Sequence, residues 1–173
     1  SELAALAEVF RKYPKVFIIS DEIYEYINFV GKHESIAQFE DLKDRIIIIN
    51  GLSKGYAMTG YRLGYIAADP AVVKACEKLQ GQYTSGANAV TQRGAIEALT
   101  GDLRPSVEMN KEFGRRRERM LQLLKAIPGI QIAEPDGAFY VFPVVTAYFG
   151  KKNGEEVLKD ADDLCMYLLN TAH

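Results

Sequence analysis

The chain has 173 residues, 48% of them hydrophobic and 25% charged, enough for one or two compact units. Its 21 lysines and arginines stand against 23 aspartates and glutamates, a formal net charge of -2. No charge excess steers it onto nucleic acid or an anionic membrane, so small-molecule chemistry is the class left. Cys76 and Cys165 lie far apart with no metal-ligand spacing and are expected as reduced core thiols, which points to the cytoplasm. Residues 1–8 carry no basic segment leading into an apolar stretch, and no apolar run is long enough for a bilayer.

In chain order, Leu3, Leu6, Ala7 and Phe10 form one helical face, and Pro14 stops that helix. Strands are predicted over residues 15–20 and 45–50, both apolar at successive positions, the pattern of strands buried on two faces. The intervening segment holds a loop and a short helix at residues 35–39, giving a β-α-β crossover with parallel strands. A third strand is predicted over 61–68. Asp69-Pro70 then supplies an N-cap and first-turn proline for the next helix. Helices follow at 70–82 and 87–100, with Gly101 as a stop, and Pro105 opens the longest, to residue 126. Phe113, Met120, Leu124 and Ile127 recur on one side of it, while Arg115, Arg116, Arg117 and Arg119 crowd a solvated or interdomain face. Pro128-Gly129 closes this helix. Strands at 130–133 and 139–142 around a turn at 134–137, and a helix at 161–169, make a second, smaller α+β unit.

The chemistry concentrates around Lys54, in a Gly-rich loop (residues 51–64) directly after the apolar run 46–49. A lysine carried into a desolvated pocket can condense with a carbonyl. Gly51-Leu52-Ser53-Lys54-Gly55 also satisfies G-x-S-x-G, with Asp162 or Asp163 and His173 following in a permissible triad order. A nucleophile elbow must lead into a helix, whereas here further glycines lead into a strand, which argues against a serine hydrolase. His33-Glu34 begins an H-E-x-x-H, but Ala37 holds the second histidine position, so no metal is expected and His33 is structural or on the surface. Neither a Walker loop nor a dinucleotide fingerprint is present. Arg62, with Ser53 and Thr59 nearby in sequence, offers a planar fork for a phosphate or, alternatively, a structural ion pair.

Asp21 and Tyr24 complete another set at the carboxyl end of the first strand, the edge where parallel sheets collect ligands. A pyridine aldehyde with a phosphate tail needs an amine, a carboxylate for its ring nitrogen and an anion clamp. Lys54, Asp21 and Arg62 are those groups, and Tyr24 can donate to the ring's phenolic oxygen. Taken singly, Asp21 is equally a turn cap and Tyr24 a half-buried strand-end aromatic.

Residues 51–64 resemble the lysine signature of class I/II aminotransferases, pyridoxal-phosphate enzymes of fold type I, in their aspartate-type branch. Residues 20–24 resemble the family's aspartate and tyrosine motif, 58–65 its arginine segment, and 135–140 the start of its small domain. The resemblance implies an α/β fold: the C-terminal part of a three-layer large domain with a mostly parallel sheet (residues 1–104), then a linking long helix and part of a smaller α+β domain (105–173). It implies transfer of an amino group between an amino acid and a 2-oxo acid. The resemblance further implies that Lys54 forms the Schiff base with pyridoxal 5'-phosphate and shuttles a proton, and that Asp21, Tyr24, Ser53 and Arg62 bind the cofactor. The hydroxyl common three residues before the lysine is replaced here by Gly51. The resemblance also implies a fragment, because the family's upstream half and its substrate-carboxylate arginine have no counterpart here. In the full-length family the active site lies at a homodimer interface, near which residues 82–86 are expected. A related carbon-sulfur lyase shares all these residues, and a non-catalytic binding or regulatory module that kept the fold is the other alternative.

Overall fold

Ser1 opens α1 (Glu2–Arg11) by accepting from Ala4 N through its hydroxyl. In the computed structural model, which describes residues 1–154 and 156–172, this helix lays Ala7, Leu3 and Phe10 against Ile18, Ile36, Leu42 and Ile46. That cluster is the core of the first unit. Arg45 ties its ends together, donating to the carbonyls of Phe10, Tyr13 and Val16 at 2.9, 3.0 and 2.9 Å at and just past the end of α1.

β1 (Ile18–Asp21) pairs parallel with β2 (Ile46–Gly51), Ile18 opposite Ile46 and Asp21 opposite Ile49. The crossover between them carries two 3-10 segments, Ile36–Gln38 and Glu40–Arg45. The helix expected at 35–39 is therefore a single tight turn, capped by Ser35 and too short to propagate as an α-helix. The apolar run predicted burial on two faces, yet in this chain one face alone is covered: Ile18 and Ile46 are buried while Ile19 and Ile49 are exposed. Asn50, near the end of β2, is buried and accepts from Gly51 N at 2.7 Å.

β3 (Gly64–Ala67) runs antiparallel to β2, so the parallel majority expected of the sheet is absent from these three strands. Its direction follows from the connection. The loop after β2 turns back on itself without a crossover element, and such a return delivers an antiparallel neighbour. Gly51 meets Gly64 closely, since a Cβ on Gly51 would stand 2.9 Å from Leu63 O and 3.0 Å from Gly64 Cα.

Asp69 caps α2 (Pro70–Tyr83), accepting from Ala71 N at 2.8 Å, as the Asp-Pro pair predicts. Asn88 caps α3 (Ala89–Thr100) through Val90 N and Thr91 N, and Gly101 closes it onto Glu97 O. The expectation of core thiols fails: Cys76 and Cys165 are both free and exposed. Among the described residues, neither α2 nor α5 (Ala161–Ala172) buries a side chain in this chain, so cysteines on them face outward. No helix among the described residues is long and apolar enough to cross a membrane.

The chain divides into compact units at residues 1–111 and 112–173, with α4 (Arg104–Lys125) running from one into the other. In the second unit the arginine run is not uniform. Arg115 and Arg116 both pair with Glu112 on the exposed side, at 2.7 and 2.9 Å. Arg117 instead turns inward, 15% exposed, and donates to Pro135 O at 2.7 Å. Phe113 stacks on Phe139 at 5.3 Å. The strand expected at 139–142 is displaced: β4 (Gln131–Ile132) pairs antiparallel with β5 (Pro143–Val144). Ala138 adopts φ +58, which breaks the extended run before Phe139. A short hairpin, β6 (Lys152–Asn153) and β7 (Glu156–Val157), precedes α5, whose first turn is fixed by Asp163 accepting from Lys159 N at 2.9 Å.

Substituting Gly51→Ala is expected to lower stability by about 1–3 kcal/mol, because backbone rather than a flexible side chain must yield. Urea unfolding of parent and variant measures it, and an unchanged midpoint refutes the close approach. Hydrogen bonds from Arg115 first and Arg116 second hold the Glu112 carboxyl down to about 2 from an ordinary 4.5. Because the folded value is depressed, the pairing stabilises above pH 4.5 and is lost as pH falls toward 2. An NMR titration of Glu112 checks this, and Arg115→Ala should move its midpoint upward.

Candidate functional site

The parallel pairing of β1 and β2 sends Asp21 and the lysine loop out of the same edge of the sheet. Asp21 is exposed at the end of β1, where its Oδ1 accepts from Ile23 N at 3.3 Å and starts the turn that carries Tyr24. Tyr24 is half-buried, and Lys54 Nζ stands 5.8 Å from the centre of its ring. The structure thus brings Tyr24 and Lys54 together. Ser53, also half-buried, precedes Lys54 as β2 ends.

Arg62 sits at the other end of the loop. Leu52 N donates to Leu63 O at 3.3 Å and Met58 N to Leu52 O at 3.1 Å, so the loop is closed at its neck and carries Lys54 and Arg62 on one framework. Arg62 is exposed, and one terminal nitrogen of its guanidinium donates to Thr59 O at 2.8 Å. Ala57 and Arg62 both adopt left-handed backbone, φ +54 and +55, although neither is glycine. Strain of this kind persists where surrounding structure over-determines it, which is common at ligand-holding loops.

Several side chains that sequence reasoning passed over support this framework. Tyr56 donates to the Tyr26 hydroxyl at 3.3 Å, with the rings edge to face at 5.3 Å. The Tyr56 contact first, and burial second, push the Tyr26 phenol well above its ordinary value, so it remains a neutral prop. Gly55 packs on it closely: a Cβ there would lie 2.6 Å from Tyr26 Cδ2. Thr91, buried on α3, donates to Tyr61 O at 3.0 Å and fixes the 3-10 turn Thr59–Tyr61 just ahead of Arg62. The sequence holds no signal for Thr91, which lies some thirty positions from its partner. Glu22 is buried beside Asp21 and gathers Ser20, Ser35 and His33.

The other readings lose their structural context. Ser53 is followed by a turn, a 3-10 segment and β3, not by the helix that a nucleophile elbow requires. Asp163 sits in the first turn of α5, where it accepts from Lys159 N, and His173 lies outside the described residues. His33 is held by Glu22 at 3.0 Å, and no group of metal-ligating side chains occurs among the described residues.

A cavity of about 360 Å³ behind the loop is lined by Gly55, Met58, Glu97, Ser106 and Met109, and an open groove of about 910 Å³ by Arg62, Asn50, Tyr65 and Cys76 among others. Lys54 and Asp21 line neither. The donor set there, an amine beside a phenol with a carboxylate and a guanidinium on adjoining segments, suits a pyridine aldehyde bearing a phosphate.

The sequence matches the family described as aminotransferase class I and II over residues 1–173. It is 40% identical to the bifunctional aspartate aminotransferase and glutamate/aspartate-prephenate aminotransferase of Petunia hybrida, over 98% of this chain and 36% of the petunia chain. It is also 40% identical to a probable aspartate/prephenate aminotransferase of Rickettsia bellii, over 99% of this chain and 44% of that one. The crystal structure of the aspartate aminotransferase from Rhizobium meliloti superposes with a TM-score of 0.92 at 36% identity, over 97% of this chain and 43% of that chain. The chain spans well under half the length of these relatives. Matched by that family over its whole extent, and by these relatives over nearly all of it, the chain belongs to the class I and II aminotransferases.

Proposed function

We propose that this chain contributes the lysine-bearing part of an enzyme that moves an amino group between an amino acid and a 2-oxo acid. The observation that carries the reading is Lys54 beside Tyr24 at the sheet edge where Asp21 emerges, in a chain of this family. Enzymes of the family depend on pyridoxal 5'-phosphate. When bound, that group supplies an aldehyde for an amine and a ring that withdraws electrons from the substrate's alpha carbon.

The residues divide the work. Lys54 Nζ is the amine that condenses with a carbonyl, and as a base it takes and returns the proton at the substrate's alpha carbon. Asp21 holds a proton at the ring nitrogen, since an adjacent carboxylate favours the cationic form. Tyr24 would donate its hydroxyl to the ring's phenolic oxygen, and Arg62, with one terminal nitrogen on Thr59 O, would pair with the phosphate, Ser53 being a further hydroxyl for that group.

Residues 1–104 are then the second half of a three-layer cofactor-binding domain, and 105–173 the linking helix and part of a small domain. The exposed Ile19 and Ile49 support this, as apolar positions awaiting a further layer. A homodimer is supported by Leu79 and Tyr83, 61% and 86% exposed, the first just before residues 82–86 and the second within them. Two free, exposed cysteines fit a reducing, cytoplasmic setting.

The test is borohydride reduction of the full-length protein loaded with pyridoxal 5'-phosphate, followed by peptide mapping. Label on the peptide containing Lys54 is expected; label on another lysine, or none, defeats the assignment. Lys54→Ala should abolish the visible absorbance of bound cofactor and lower kcat by at least about a thousandfold, the scale of losing a catalytic group that acts as both nucleophile and base. Product analysis separates the lyase: a keto acid and an aminated acceptor in equal amounts mark transfer, whereas ammonia with pyruvate marks elimination.

A further inference from the structure

Glu22 stands between Asp21 and Tyr24 in sequence, yet its side chain goes the opposite way from Asp21. Asp21 is exposed and Glu22 is 8% exposed. Burying a carboxylate is costly unless its lone pairs are satisfied. Here they are: Oε1 accepts from Ser35 Oγ at 2.6 Å and Ser20 Oγ at 3.1 Å, and Oε2 lies 3.0 Å from His33 Nε2. Ser35 is itself fixed, because the same oxygen accepts from Ala37 N at 3.1 Å and caps the 3-10 turn.

The backbone of Glu22 is held as firmly. Its N–H donates to Ile49 O at 2.8 Å, extending the β1–β2 ladder one step beyond Asp21, and its carbonyl accepts from Glu25 N at 3.0 Å in the turn that presents Tyr24. The residue is therefore pinned by strand, turn and side chain at once. Any rotation of the chain at this point would redirect Asp21 on one side and Tyr24 on the other. An apolar side chain would fill the same space at less cost in desolvation, but it would not fix direction.

We propose that Glu22, clamped by Ser20, His33 and Ser35, is a positioning residue that aims Asp21 and Tyr24 at the cofactor ring. This rests on the cofactor reading above. Glu22 touches no reacting atom; it acts through its neighbours, as side chains behind a ligand shell do.

The test compares Glu22→Ala, Glu22→Gln, His33→Ala and, as a control, Leu42→Ala in the full-length protein. Leu42 is buried in the core cluster with no part in the clamp, so its truncation destabilises without touching the site. For each, the dissociation constant of pyridoxal 5'-phosphate is measured by absorbance titration of apoprotein, alongside the unfolding midpoint of the apoprotein. Glu22→Ala and His33→Ala are expected to weaken cofactor binding by roughly tenfold or more. Glu22→Gln should restore it, since an amide oxygen accepts both serine hydroxyls and the amide nitrogen faces the histidine. Leu42→Ala should lose stability but keep its affinity. If Glu22→Ala does not fold, His33→Ala decides, because the half-exposed imidazole leaves little void and the two serines remain. Parent-like affinity in the clamp variants, or an equal loss in Leu42→Ala at matched destabilisation, overturns the positioning role while borohydride labelling of Lys54 in the parent leaves the cofactor reading standing. Absence of that label in the parent overturns both.

Discussion

The parallel pairing of Ile18–Asp21 with Ile46–Gly51 is the constraint on which the rest of the first unit depends. Parallel strands run out at one edge, so whatever follows both of them emerges on the same side. With Asp21 opposite Ile49, the aspartate turn and the lysine loop leave the sheet within a few residues of each other, and Lys54 comes over the ring of Tyr24. A shift of the register by one residue would exchange the faces of Ile18 and Ile19, and with them the side to which Asp21 points.

What holds that pairing is unevenly spread. Below the strands, the cluster of Ala7, Ile18, Ile36, Leu42 and Ile46 supplies non-directional burial, and Arg45 collects carbonyls at the end of α1. At the functional edge the supports are directional. Glu22 with its hydroxyls and imidazole, Tyr26 with Tyr56, and Thr91 under Tyr61 each fix an orientation rather than merely exclude water. Left-handed backbone at Ala57 and Arg62 is tolerated because those contacts surround it.

The opposite sheet face is open in this chain. Ile19 and Ile49 lie open where successive apolar residues had implied a second covering layer, and Cys76 and Cys165, each in its own unit, are exposed as well. The successive apolar pattern finds no second covering layer among the described residues, and the cysteines ride on helices that bury no described side chain within this chain.

By itself the sequence determined the α-helices, the apolar strands, the Asp69 cap and the linear motifs carrying Lys54, Asp21, Tyr24 and Arg62, because periodicity, capping and loop glycines act over a few residues. Tertiary structure alone decided the antiparallel return of β3, the displacement of the second-unit strand to Pro143–Val144 and the inward turn of Arg117. It alone revealed the clamp on Glu22. Those outcomes depend on partners eleven to thirty or more positions away, whose hydrogen bonds and shapes leave no periodic trace along the chain.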